Sequence, residues 1–256
     1  IVNIIKVNRM DNNTYKPETV LCIPGNWKDQ TEIVSAISKN NGNEFILAGM
    51  TLLNLKTNQG FEVQICEQDE RMKDSFEYAG AVNGISEKFL QEIERHKSVI
   101  YVIAETGDLA SAKAVAEAGN AILKSGGIGI KVESAGKAFT KEHWSGLLDE
   151  YVELNLYKMF VIDSVNENGR IFSCGMHNLG FKDCIAYEED LEGSENLISI
   201  FGHYLFIDRP EIKDNQTFSI NSESEIFVIS EERNQHYKGD ELFENPFGMW
   251  KLEKKA

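Results

Sequence analysis

Ser134 and Lys137 are the residues in this sequence whose types and spacing come closest to a known chemistry. In a Ser-x-x-Lys nucleophile the lysine amine takes the proton of the serine hydroxyl, so the two side chains must lie one helical turn apart. Here Gly136 lies between them, and Thr140 is predicted to cap a helix that begins only later, which places both residues in a turn. The companion Lys-Thr-Gly and Ser-Asp-Asn sequences are absent from the chain. The pattern therefore does not favour a serine nucleophile.

The same stretch also resembles a phosphate-binding loop. That motif needs a glycine five residues before the glycine of its Gly-Lys pair, and Ser or Thr after the lysine. Lys131 and Ala138 occupy those positions, so a Walker motif is excluded. Backbone N–H groups at a turn leading into a helix still attract anions, to which a lysine adds charge. The candidate ligand-binding residues are Glu133, Ser134, Gly136, Lys137 and Trp144.

A turn that only ends a strand explains these residues equally well. Glu133 and Glu142 oppose the binding of an anion, and Pro24-Gly25 stands at the equivalent point of an earlier strand. On this interpretation Ile128 to Glu133 is a central strand with Ile128, Ile130 and Val132 packed under a helix. The side chain of Lys137 is then expected to point into solvent.

A metal site is disfavoured. Cys174, His177, Cys184 and His203 could be drawn as a zinc set. Structural zinc sites usually supply a close pair of ligands at each end, whereas the second pair here is about twenty residues apart. We predict no metal and no cofactor, and we single out no catalytic residue.

Composition limits the classes of partner. The chain has 256 residues and a formal net charge of −15, with 42% hydrophobic and 26% charged residues, which is typical of a globular protein. An acidic surface repels phosphate, so nucleic acid and anionic membranes are not expected as partners. The charge has two interpretations, of which the first is favoured: like charge that keeps a protein in solution, or an acidic face that docks a basic protein partner. The four scattered cysteines predict reduced thiols and a cytoplasmic location. The sequence begins at Ile1, which leaves open that residues precede it, and the oligomeric state also stays open.

The order of elements predicts the fold class. Val20–Pro24, a helix over 27–40, a single strand over 44–55, a strand over 61–67, two helical stretches and a strand over 98–105 give a ferredoxin-like βαββαβ order. An alanine-rich helix from Asp108 to Gly127 follows, with many small residues for close packing. Its apolar side is predicted from Ala110, Ala114, Val115, Ala118 and Ile122.

A similar order then restarts. A strand over 128–133, a helix carrying Trp144, a hairpin at Asn168-Gly169, a helix over 197–205 and a closing strand at 217–221 or 225–230 form the second unit. We therefore predict an α+β fold of two tandem ferredoxin-like units joined by a helix, with an antiparallel-rich sheet and helices packed on one face. The predicted boundaries are 1–107, which includes an N-terminal extension, and 108–256; one compact domain is the alternative.

Three segments resemble one bacterial family. They are GIKVESAGKAFTKEHW, FSCGMHNLGFKD and the ending NPFGMWKL. In combination they are similar to the domain of unknown function numbered four-two-six-one, from about Val20 onward. The resemblance implies a soluble bacterial protein and implies no reaction, cofactor or catalytic residue. Cys174 stands where Thr or Ser is at least as expected in that family.

Two functions remain open on the sequence. The first is a non-catalytic binding or regulatory protein with a basic protein partner, for which the charge is the main support. The alternative is a small-ligand-binding protein or enzyme whose site lies beside the Ser134–Lys137 turn.

Overall fold

The structure, a computed structural model, describes residues 16–188, 196–233, 235 and 241–255. Within these ranges the chain forms seven α-helices and two sheets. The helices are α1 (Gln30–Asn40), α2 (Met72–Gly80), α3 (Glu87–Glu94), α4 (Leu109–Lys124), α5 (Lys141–Asp149), α6 (Glu153–Phe160) and α7 (Leu197–Asp208). The mixed α+β class predicted from the sequence is confirmed.

The first sheet has seven strands in the order β2-β3-β4-β5-β1-β6-β7. They are β1 (Glu18–Gly25), β2 (Phe45–Ala48), β3 (Thr51–Asn54), β4 (Gln59–Glu67), β5 (Ser98–Glu105), β6 (Gly129–Val132) and β7 (Lys137–Thr140). All neighbours in this sheet are antiparallel. The hairpin β6–β7, which follows α4 in the chain, pairs with β1 and so extends the sheet built by the first 105 residues.

The second sheet has six strands in the order β11-β12-β13-β10-β9-β8. They are β8 (Ile162–Glu167), β9 (Arg170–Cys174), β10 (Asp183–Tyr187), β11 (Thr217–Phe218), β12 (Phe227–Glu232) and β13 (Met249–Lys254). Only β10 and β13 are parallel neighbours among the described strands. The hairpin predicted at Asn168-Gly169 is confirmed, since both residues have positive φ and Glu167 pairs with Arg170.

The ferredoxin-like arrangement is not confirmed. The segment predicted as one strand over 44–55 is a hairpin, β2 and β3, which reverses at Gly49 with φ of 64°. This extra reversal inverts the direction of β4 relative to the predicted arrangement, whereas β5 remains antiparallel to β1. As a result β4 and β5, although two helices separate them in the chain, are antiparallel neighbours rather than the parallel strands of a crossover.

The prediction that helices cover one face of the sheet is wrong for the first sheet. Leu21 and Ile23 of β1 pack with residues of α1 and α4, whereas Val20 and Cys22 pack on the opposite face with residues of α2 and α3. The uninterrupted apolar run of β1 agrees with this arrangement, because a strand covered on both faces does not alternate between apolar and polar residues.

Helix α4 packs closely against the first sheet and against α5 and α6. Gly119 permits this approach: a Cβ there would lie 2.7 Å from Cδ1 of Ile130 and 2.8 Å from Cδ1 of Leu21. The close packing predicted from its small residues is confirmed, although Ala110 is exposed. One core cluster runs from Leu21 to Leu252 and includes residues of both sheets. No helix in the described ranges is long and apolar enough to cross a bilayer.

Candidate functional site

The Ser134–Lys137 stretch is the turn of the β6–β7 hairpin. Val132 pairs with Lys137, so residues 133–136 form the loop, and Gly136 has φ of 67°. The predicted position of Gly136 in the turn is confirmed. The predicted cap is confirmed as well, because Oγ1 of Thr140 accepts a hydrogen bond from the backbone N–H of His143 at 3.2 Å. Lys137 differs from expectation because it begins a strand instead of preceding a helix.

Strand β6 lies between β1 and β7, as expected for an interior strand. Ile130 and Val132 join the core cluster that contains α4 and Trp144. Ile128 precedes the strand and packs with the cluster on the other face of the sheet. The predicted burial under one helix therefore holds for two of the three residues.

Ser134 and Lys137 are buried, and each donates to a segment next to a strand of the second sheet. The Oγ of Ser134 donates to Oδ1 of Asn178 at 2.8 Å, and Nζ of Lys137 donates to the backbone oxygen of Val161 at 2.7 Å. Only 8% of Lys137 is exposed, so the expectation that its side chain points into solvent is wrong. The acceptor that solvent was expected to provide is instead the backbone oxygen of Val161, which lies between α6 and β8. Both groups hold the hairpin to the rest of the molecule.

The other candidate residues lie in separate environments. Glu133 pairs with Lys131, with 2.9 Å between Oε1 and Nζ. The indole N–H of Trp144 donates to the backbone oxygen of Ala116 at 3.2 Å, deep in the core. Gly136 faces the ring of Phe243. The structure therefore brings Ser134 and Lys137 to the junction of the sheets but does not gather all five residues around one point.

A buried polar network around Asn178 forms the centre of this junction. Its Oδ1 accepts from Oγ1 of Thr19 at 2.6 Å as well as from Ser134, and its Nδ2 donates to the oxygen of Gly175 at 2.8 Å. Thr19 also shares a hydrogen bond of 2.7 Å with Thr106. Sequence reasoning did not identify Asn178. The available signal was the pair of glycines that brackets its short 3-10 turn.

A second network surrounds Asp183, which is fully buried. Its carboxylate accepts from Oγ of Ser173 at 2.9 Å, from the N–H of Met176 at 3.2 Å and from Nδ2 of Asn245 at 2.6 Å. Nδ1 of His177 lies 4.0 Å from its Oδ2. Three donors replace the lost hydration of this carboxylate, as a buried charged group requires.

The zinc set considered above does not assemble into a metal site. Among the residues that the structure describes, no group of three or more His, Cys, Asp or Glu side chains is placed to hold a metal ion. Burial, and then the charge of Asp183, raise the pKa of the Cys184 thiol well above its ordinary value. All four cysteines are free thiols.

Four buried polar atoms in the described part of the chain have no hydrogen-bond partner. They belong to the hydroxyl of Tyr157, Oδ1 of Asp163 and the two ring nitrogens of His177. Asp163 lies at a β-bulge, where β8 and β9 shift register, and its Oδ1 is 3.8 Å from Nδ1 of His203. Bulges re-aim side chains and are common beside functional sites. Sequence reasoning named neither Tyr157 nor Asp163 as a candidate.

The amine of Lys137 is the one group of the turn with a strongly shifted pKa. Burial lowers this pKa to about 8, and the negative charge of Asp163 opposes the shift only in part. Among the described residues the amine has one hydrogen-bond acceptor, the oxygen of Val161. Below pH 8 the folded protein therefore holds a buried ammonium group at an energetic cost.

This lowered pKa predicts a pH-dependent stability. The folded-state pKa lies below the unfolded value of about 10.4, so the unfolded chain binds more protons between these values, and stability rises with pH across that window. From pH 7 to pH 9.5 the wild type should gain about 2 kcal/mol of unfolding free energy relative to Lys137→Met. Urea titrations of both proteins at the two pH values measure this difference. An unchanged difference would contradict the shift, and Lys158→Met, on the exposed side of α6, provides the control.

Comparison with known proteins identifies no relative from which a role for these residues could be transferred. No family model, no curated protein and no solved structure matches this chain.

Proposed function

We propose that this protein is a non-catalytic binding protein that regulates or neutralises a basic protein partner. The observation that supports this most directly is the use of Ser134 and Lys137. A nucleophile must be free to reach its substrate, whereas these two side chains hold the hairpin turn to Asn178 and to Val161 in the interior. The formal charge of −15 favours a basic partner and its rapid association.

The proposal includes the setting of the protein. The chain is a bacterial, cytoplasmic protein of the family four-two-six-one, which the motifs around Lys137, Cys174 and Trp250 resemble. The scattered cysteines support a reducing compartment.

Affinity capture tests the partner. The tagged protein is used as bait in a native lysate of the source organism at physiological salt, beside an unrelated protein of the same net charge. We expect a stoichiometric basic protein on this bait alone, with retention that falls as salt is raised. Recovery of the same proteins on both baits, or of none at stoichiometric amounts, would contradict the proposal.

A small-ligand site or active site beside the turn is the second candidate function. The observation that favours it is the lowered pKa of the Lys137 amine, on which the charge of Asp163 acts. The same charge acts on the hydroxyl of Tyr157, which is buried and has no partner among the described residues. Perturbed amines and unpartnered buried groups are frequent at functional sites.

Thermal-shift screening separates the two functions, because a ligand that binds the native state must raise Tm. The panel consists of metabolites and inorganic anions at pH 8. For this second function we expect a shift in the wild type that Lys137→Met abolishes and Lys158→Met retains. A panel that leaves the Tm of the wild type unchanged would count against a ligand site at this turn.

A further inference from the structure

Helix α2 presents an aromatic ring to solvent on its outer side. Its inner side is well defined, since Met72, Phe76 and Ala79 are buried against the first sheet and α3. Tyr78 lies opposite them and is 86% exposed, and Val82, four residues later in the 3-10 turn that continues the helix, is 59% exposed. A polar residue is expected at such positions of an amphipathic helix. Exposed aromatic side chains are typical of protein interfaces.

Two carboxylates flank this ring. Asp74 precedes Tyr78 by one helical turn and Glu77 is its immediate neighbour, and both are exposed. Neither makes a salt bridge among the residues that the structure describes. The adjacent cation, Lys73, is directed to α3 instead, with Nζ 3.2 Å from Glu87 and 3.8 Å from Glu94. We call Asp74, Glu77, Tyr78 and Val82 the Tyr78 face.

The chemistry of the Tyr78 face is complementary to arginine. A guanidinium group lies flat on an aromatic ring, and its remaining N–H groups donate to carboxylates at the rim of the ring. An apolar side chain next to the arginine would then contact Val82. We propose that the Tyr78 face binds an arginine-containing basic segment of a protein partner. This inference rests on the proposed binding function and adds the surface and the chemistry of its ligand.

Two other exposed apolar sites do not offer a free ring to arginine. Tyr151, beside Asp149 and Glu150, already has Lys113 over its ring, with Nζ 5.1 Å from the centroid. Leu55, which is 53% exposed, lies next to Lys56, whose amine is 2.7 Å from Glu44. A basic segment would meet a cation there, and the nearby carboxylate is already paired. Leu55 is therefore a suitable control position, since its side chain is about as exposed as that of Val82 and its charged neighbours are different.

Fluorescence anisotropy with fluorescein-labelled hexa-arginine tests the proposal. For Tyr78→Ala, which keeps the net charge, we expect binding about fivefold weaker, the loss of one cation–π contact of about 1 kcal/mol. Asp74→Asn with Glu77→Gln should weaken binding by at least as much. Leu55→Ala should bind as the wild type does. Asp149→Asn with Glu150→Gln, which removes the same charge from the exposed end of α5, should weaken binding less than the change at Asp74 and Glu77.

Three outcomes would overturn the proposal. They are unchanged binding by Tyr78→Ala, equal weakening by the two charge-removing pairs, and a concentration-dependent dimer that Tyr78→Ala dissociates, which would assign the face to a second copy. The affinity capture above separates this inference from the function on which it rests. A partner that Tyr78→Ala retains would remove the Tyr78 face and keep the function. If hexa-arginine binding depends on Tyr78 but no partner is captured, the Tyr78 face stands and the proposed function is contradicted.

Discussion

Replacement of Gly175 by alanine is expected to lower the free energy of unfolding by about 4 kcal/mol or more, or to prevent folding. Gly175 begins the 3-10 turn that carries Asn178, and its φ is 104°, a conformation that side chains strongly disfavour. A Cβ there would lie 2.0 Å from the backbone oxygen of Phe160 and 2.9 Å from Cβ of Ala135. Relief of these overlaps requires the second sheet to move away from α6 and the hairpin turn.

Urea unfolding followed by circular dichroism measures this loss. Gly146→Ala is the matched control, because Gly146 is exposed on α5 and a Cβ there meets no atom within 4 Å. In a helix this exchange should stabilise the protein by about 0.5–1 kcal/mol. Equal stability of the two variants would show that the junction around residue 175 is not packed as described.

Loss of the Asp183 carboxylate is the second large effect, and we expect Asp183→Ala to cost about 3–4 kcal/mol of unfolding free energy. The carboxylate holds three donors that no water reaches: the hydroxyl of Ser173, the N–H of Met176 and the amide of Asn245. Its removal leaves the N–H of Met176 without its partner and opens a cavity between β9, β10 and the segment before β13. Asp183→Asn should lose less, because it keeps the volume and one acceptor.

A double-mutant cycle between Asp183 and Asn245 identifies the source of this loss. Their contact is 2.6 Å long and joins residues 62 positions apart. We expect Asp183→Ala and Asn245→Ala to be non-additive by 1 kcal/mol or more, as for groups in one hydrogen-bond network. Asp149→Ala, at the exposed end of α5, should change stability by less than 0.5 kcal/mol. Additive losses would place the role of Asp183 outside this network.

Elements with local signals were predictable from the sequence. Thr140 caps α5, Asn168-Gly169 closes the β8–β9 hairpin, and Gly136 lies in the turn of the β6–β7 hairpin, all as predicted. Each signal acts through backbone groups within about four residues, so neighbouring sequence is enough to specify it. The apolar runs of β1 and α4 were similarly readable, because burial follows composition over short windows.

Strand pairing was not predictable, because it depends on contacts between segments that are distant in the sequence. The reversal at Gly49 follows a single glycine within an apolar run, and a continuous strand and a tight hairpin share that pattern. The direction of β4 and its pairing with β5 depend on that one turn. The same run of residues therefore allowed two topologies, and packing against α1 and the β5 edge selects one.

The sequence by itself determined the α+β class, the positions of most helices and the acidic character of the protein. The tertiary structure decided the environments of the polar side chains. Lys137 was expected in solvent and is buried against Val161, and Ser134 bonds to a residue 44 positions away. The two glycines around Asn178 indicated a turn but not its partners, and nothing near Asp183 in the chain indicated its network. The physical reason is range: a cap or a turn is satisfied by its own neighbours in the chain, whereas a buried amine, hydroxyl or carboxylate is satisfied by whichever distant backbone or side chain the fold places beside it.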